Sequence, residues 1–170
     1  MWPRKKDPTP EFTIGCTSFA RLVQHFQAND WAFESDEQQR VVHTTLTGES
    51  GQIRIIAAIS EEDDFLEVLT ILPVNAPPNK RYEASEFCNR ASFRIKIGRF
   101  EIDFDDGAVR FHASAPFDDG DLPENVIHRC VGTALLLADH YFPHLMSVIY
   151  GGMTSAHAVQ TAEAQLQQKS

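Results

Sequence analysis

The sequence predicts an α+β fold: a largely antiparallel sheet with helices packed on it, in the order α-ββββ-α-ββ-α. Three observations predict it. Apolar residues recur at helical spacing near the start of the chain and again from Val126 to Phe142. Between them the period changes to two, with short polar turns separating the runs. Strand–helix–strand crossovers are too few for a doubly wound parallel sheet, so helices segregated onto an antiparallel sheet remain.

The first helix is read from "CTSFARLVQHFQAN", Cys16 to Asn29, where Phe19, Leu22, Val23 and Phe26 fall at i, i+3, i+4 and i+7. Thr17 or Ser18 can cap it. Trp31 and Phe33 then alternate with Ala32 and Glu34, and Val41, His43 and Thr45 with Val42, Thr44 and Leu46. The turn at Gly48-Glu49-Ser50-Gly51 leads into "QIRIIAAIS", and acidic Glu61 to Asp64 leads into "FLEVLTIL". These four strands form a meander. The third and fourth carry apolar residues on both faces, so they are expected at its centre.

The second helix is expected in "NAPPNKRYEASEFCNRAS", with Asn75 as cap, Pro77 or Pro78 in the first turn, and Tyr82, Phe87, Cys88 and Ala91 as the apolar face. A hairpin follows. Phe100, Ile102 and Phe104 face one way and Glu101 and Asp103 the other, with Asp106-Gly107 at the turn and Val109, Phe111 and Ala113 resuming the apolar face. The third helix places Val126, Cys130, Ala134, Leu137 and Tyr141 on one stripe, widened by Ile127, Val131, Ala138 and Phe142. Pro143 is expected to bend it and Gly151-Gly152 to stop it. Residues 1–14 are expected as a flexible arm, residues 15–152 as one α+β domain, and residues 153–170 as a partly ordered tail with at most a short helix, since Val159 and Leu166 offer it little to bury.

Composition narrows the function. The chain has 170 residues, enough to bury roughly 70% of its unfolded surface in one core. Its formal net charge of -9 argues against a nucleic-acid surface and against anionic membranes. Cys16, Cys88 and Cys130 form an odd, sparse set without CxxC spacing and read as reduced thiols. With no secretory signal and no apolar run of about 18 residues, the expected location is cytoplasmic.

The ordered set "PPNKRYEASEFCNRASFRIKIGRFEIDFDDGAVRFHAS" and "ADHYFPHLMSVIYGG" resembles the YbjN family, whose members are labelled bacterial sensory transduction regulators. Members carry a helix ending in Asn-Arg, here Asn89-Arg90, and a GRFE strand, here Gly98 to Glu101. An acidic-Gly turn follows, then an RF strand, here Arg110-Phe111, and a last helix ending in an Ile-x-Gly, here Ile149 to Gly151. The resemblance spans residues 17–152 and is strongest over 77–152. That family is similar in fold to the type III secretion chaperones. The resemblance implies a dimerising module that binds protein or peptide, with no catalytic residues to carry over.

Residue by residue, the chemistry agrees with that reading. His140 and His144 have the i, i+4 spacing of a zinc helix, but Tyr141, Phe142 and Pro143 stand between them instead of the glutamate such a site uses. His128 and Cys130 flank Arg129, yet Cys130 lies on the apolar stripe, where a thiol is unreactive. A small-molecule or metal-dependent domain built from His128, Cys130, His140 and His144 is the alternative. "DFDDG" only partly echoes a calcium loop, and "FRIKIGRF" is a short basic-aromatic run read as a strand with a charged outer face. No catalytic residue, cofactor or metal is expected. The expected function is a non-enzymatic protein- or peptide-binding module, acting as a homodimer. Sheet edges can accept a partner strand. The wet face of the hairpin, Arg99, Glu101, Asp103, Arg110 and His112, is the candidate recognition surface.

Overall fold

The computed structural model describes residues 17–60, 64–118 and 121–169. The elements are α1 (Ser18–Ala28), β1 (Phe33–Asp36), β2 (Val41–Thr47), β3 (Gln52–Ser60), β4 (Phe65–Asn75), a 3-10 turn (Pro78–Lys80), α2 (Arg81–Ser92), β5 (Arg99–Ile102), β6 (Ala108–Pro116), α3 (Glu124–Ile149) and α4 (Ser155–Lys169). The strands form one sheet in the order β1-β2-β3-β4-β6-β5, each neighbour antiparallel. The expected α+β class and strand placement are those observed, with β3 and β4 at the centre. Expected Cys16, the arm before it and Glu61 to Asp63 of the acidic turn lie outside the described residues.

The two-residue period decides which face is buried. Val42 pairs with Ala57, Ala57 with Val68 and Val68 with Ala113, a fully buried row across four strands. One residue along, Val41, Ala58, Glu67 and Ser114 form the corresponding row on the other face. The buried rows join Leu22 and Phe26 of α1, Phe87 of α2, and Ile127, Val131, Ala134 and Leu145 of α3 in one core. Thr17 caps α1 as expected, its hydroxyl accepting the Ala20 N–H at 3.2 Å.

Five details differ from the sequence reading. Asn75 ends β4 instead of capping α2, and Tyr82 points outward, 80% exposed, while Ala84, Phe87, Cys88 and Ala91 form the buried face. β5 stops at Ile102, so Phe104 sits in the turn and packs edge-on against Tyr82 with ring centroids 5.5 Å apart. The segment "FRIKIG" is not strand; β5 begins only at Arg99. The expected tail is a 15-residue helix, α4, packed on α2 and α3. Its contribution to the core comes from Ala158 and Ala162 as much as from Val159. Small residues let helix backbones approach closely, and that a hydrophobicity count does not register.

Pro143 does not interrupt the third helix: α3 runs unbroken from Glu124 to Ile149. A proline inside a helix lacks the N–H that would bond the carbonyl four residues earlier, a defect of about 3 kcal/mol. Here that carbonyl belongs to Asp139, and it accepts instead the Ser50 hydroxyl at 2.9 Å. Asp139 also accepts the Glu49 and Ser50 N–H groups on its carboxylate, both at 2.8 Å. Gly48 lies so close that a Cβ there would collide with this carboxylate. The β2–β3 turn is thus seated on α3 opposite its proline.

Asp139→Ala should therefore cost about 1–3 kcal/mol, the range for charged hydrogen bonds of this kind, and Asp139→Asn less because one acceptor oxygen remains. Urea unfolding of both variants measures it; equal stability of Asp139→Ala and wild type would show that the turn does not depend on the clamp.

Candidate functional site

The last hairpin brings together four of the five residues singled out in the sequence. Glu101 on β5 pairs in register with Arg110 on β6, and Arg99 with His112. Alternation puts all four on the sheet face away from the helices. The Arg110 Nε lies 2.8 Å from Glu101 Oε2 and the Arg99 Nη2 lies 2.7 Å from Oε1. His112 Nδ1 lies 3.3 Å from Oε1 and 3.4 Å from Arg99, so it donates to the carboxylate or accepts from the guanidinium, never both at once. His112 Nε2 is enclosed without a hydrogen-bond partner among the described residues; Glu67 Oε1, at 3.8 Å, is beyond hydrogen-bonding distance.

The ionisation of Glu101 follows from this cluster. Partial burial pushes its carboxyl upward. Hydrogen bonds from Arg110 and His112 and the charges of Arg99 and Arg110 outweigh that and hold it below the ordinary carboxylate range. Glu101 is therefore a fixed anion between two half-exposed cations.

Asp103 does not join the group. Its N–H donates to the Ala108 carbonyl at 2.9 Å and its carbonyl accepts the Gly107 N–H at 2.8 Å, so the turn has already begun. Its carboxylate accepts the Asp105 N–H, and that of Asp106 accepts the Ala108 N–H, each at 2.8 Å. Asp103 and Asp106 of "DFDDG" thus cap backbone donors in a turn that Gly107 permits by adopting φ 81°. Alternation of acidic and apolar residues in the sequence persists past the end of the strand, which is why the pattern misplaced Asp103 and Phe104.

β5 is a sheet edge, and its outer flank is not bare. The Phe100 N–H donates to Ser92 Oγ at 2.8 Å, and that hydroxyl donates to the Cys88 carbonyl at 2.7 Å. Ile102, two residues on, turns its backbone groups the same outward way. Between this edge and α2 lies a groove of about 760 Å³, walled by Ser85, Asn89, Phe100, Ile102 and Phe104 and reaching Glu101 and Arg110. Sequence reasoning located the charged hairpin face but not the groove, because the α2 wall comes from residues more than ten positions away.

The alternative set does not converge. His140 Nε2 donates to the Ala162 carbonyl at 2.9 Å, and His144 Nε2 donates to Gln165 Oε1 at 3.2 Å. Their rings stand 5.7 Å apart, and both hold α4 against α3. His128 lies instead beside the buried His25, ring centroids 6.0 Å apart. Cys88 and Cys130 are buried free thiols; burial pushes Cys88 up to about 12 and raises Cys130 as well. Among the described residues no three of His, Cys, Asp and Glu are grouped to hold a metal ion. No helix of the described residues is long and apolar enough to cross a membrane.

With this geometry in view, the family can be assigned. A family model described as "Putative bacterial sensory transduction regulator" matches residues 18–147. The chain belongs to the YbjN family. This YbjN chain is also similar to the solved structure of the ExsC-ExsE complex, at a TM-score of 0.50 and 15% identity, covering 75% of this chain and 92% of that one. A second similar structure is the HopA1-SchA chaperone-effector complex, at a TM-score of 0.49 and 10% identity, covering 72% and 90%. No curated protein matches the chain. The order of helices and strands expected for a YbjN protein is the one found, with α4 added.

His144 on α3 gives a pH dependence. Burial lowers the His144 pKa below the ordinary 6.5, the Gln165 hydrogen bond opposes this, and the nearby His140 adds to it. The folded state favours neutral His144, so the unfolded chain binds that proton more readily. The stability contribution is complete above pH 6.5 and is lost as pH falls below it toward the depressed folded value. Amide hydrogen exchange in α4 should accelerate over that window, and His144→Gln should remove this component. Exchange in the variant with wild-type pH dependence would sever the link between His144 and α4.

Proposed function

We propose that this protein is a non-enzymatic, chaperone-like or regulatory module that acts as a homodimer and binds a segment of another protein at the outer face of the β5–β6 hairpin. The convergence of Arg99, Arg110 and His112 on Glu101, beside the groove along β5, carries the reading. The guanidiniums of Arg99 and Arg110 alternate with the carboxylate of Glu101 and present a fixed charge pattern to a partner segment. The groove offers apolar walls from Phe100, Ile102 and Phe104 for the neighbouring residues of that segment.

Other observations support it. The family description is that of a regulator, and the similar ExsC-ExsE structure is a complex. The two described cysteines are held protonated by burial, so neither supplies a thiolate nucleophile. Free thiols also suit a reducing compartment, in keeping with a cytoplasmic location. Nucleic acid and membranes are not assigned as partners, and no cofactor is invoked.

Pull-down from cell extract with Glu101→Lys and Arg110→Glu tests the surface. Each reversal should reduce partner recovery about tenfold, the equivalent of ~1.4 kcal/mol. The double reversal restores an internal ion pair but presents the opposite pattern. Recovery should stay low in it. Unchanged recovery in the single variants would remove this surface from consideration. Rescue by the double variant would show that the pair only stabilises the hairpin.

A further inference from the structure

The run "FRIKIG" crosses from α2 to β5 as irregular chain. Its Ile95 and Ile97 pack on the core, while Arg94 and Lys96 stay exposed. Between this segment and the seam of α3 and α4 lies a groove of about 370 Å³, a size within the ~300–1,000 Å³ of small-ligand sites. Ile95, Ile97, Leu137 of α3 and Leu166 of α4 give it apolar walls. It shares no lining residue with the groove along β5. Its α4 wall lies beyond residues 18–147, which the family model matches.

This apolar groove contains a polar group that the protomer leaves unused. Tyr141 lines it and is only 3% exposed. The ring is held by Phe87 and Phe100, with centroids 6.2 and 5.3 Å away. Nothing among the described residues hydrogen-bonds its hydroxyl, although a buried phenol ordinarily has a partner. Burial and the charge of Glu163 both raise the Tyr141 pKa, so the phenol keeps its proton and offers a donor.

Two further donors stand at the same groove. Arg94 Nη1 lies 3.9 Å from Glu163 Oε2, an ion pair too long to be a hydrogen bond. Lys96 has no acceptor among the described residues. Both cations and Glu163 line the groove, so positive charge is in local excess within a chain of net charge -9. Thr133, Leu137 and Tyr141 follow one another along the α3 wall at about one-turn intervals, so that wall is ~12 Å long. The space is elongated and apolar, with its unused donors awaiting an acceptor.

We propose that this groove binds a medium-chain aliphatic carboxylate, its alkyl chain lying between Ile95, Ile97, Leu137 and Leu166 and its carboxylate accepting from the Tyr141 hydroxyl, Arg94 and Lys96. Removing the alkyl chain from water supplies the attraction. The donors fix which end of the molecule lies where. Arg94 exchanges a long contact with Glu163 for charge-assisted hydrogen bonds to the ligand.

Equilibrium dialysis of the full chain against radiolabelled decanoate, kept below its micelle concentration, tests the site. Binding should saturate at one molecule per chain. Decanol and decylammonium carry the same alkyl chain with a neutral or a cationic head, and each should bind at least about tenfold more weakly. Tyr141→Phe keeps the ring and should weaken decanoate binding about tenfold. Arg94→Gln combined with Lys96→Gln should weaken decanoate further and leave decanol unchanged. Leu166→Trp fills the groove from a half-buried position and should abolish decanoate binding; circular dichroism verifies that each variant is folded. No saturable binding by wild type, or binding indifferent to Leu166→Trp, overturns the site. Decanol or decylammonium bound as tightly as decanoate, or decanoate binding indifferent to both Tyr141→Phe and the paired glutamine variant, overturns the carboxylate as its ligand.

Discussion

An antiparallel sheet with one apolar face needs a cover for that face, and here the cover is chiefly α3. At 26 residues it is ~39 Å long, enough to pack on β3, β4 and β6 and to reach α1, α2 and α4. The other three helices and the centre of the sheet are arranged against it. That places a condition on its continuity, since Pro143 removes one hydrogen bond from its interior. The β2–β3 turn meets the condition. Ser50 takes the orphaned Asp139 carbonyl, and the Asp139 carboxylate takes two backbone donors of the turn. A defect in one element is used to fix another.

Because the helices occupy one face, the other is left to solvent, and function has to be sought there and at the sheet edges. The hairpin face is ordered by one carboxylate shared among three cationic or polar groups. Surface ion pairs of this kind add little to stability, so their value lies in fixing a charge pattern. The β5 edge is moderated rather than covered: Ser92 occupies the Phe100 N–H while the groove beside it stays open.

Much of the site was legible locally. Arg99 and Glu101 alternate with Phe100 and Ile102, and Arg110 and His112 with Val109 and Phe111. A period of two, with Gly107 between, suffices to place four charged groups on one face of a hairpin. Asp103 was misplaced because a turn can begin before the alternation ends. Tyr82 was assigned to the buried face of α2 because aromatic character was taken for burial; its neighbours Ala84 and Cys88 pack inward instead. The roles of His140 and His144 were illegible, since both depend on α4, and α4 packs through alanines that carry no amphipathic signal.

The sequence by itself determined the class of the fold, the order of its elements, the central position of β3 and β4 and the apolar stripe of α3. Those follow from periodicity, which is a property of near neighbours along the chain. Only the tertiary structure decided that α3 passes through Pro143 unbroken, that Asp139 clamps a turn ninety residues earlier, and that the histidine pair hydrogen-bonds to α4. Each depends on a hydrogen-bond partner supplied from a distant segment. A local pattern shows that a polar group needs a partner; it cannot show which part of the folded chain will bring one.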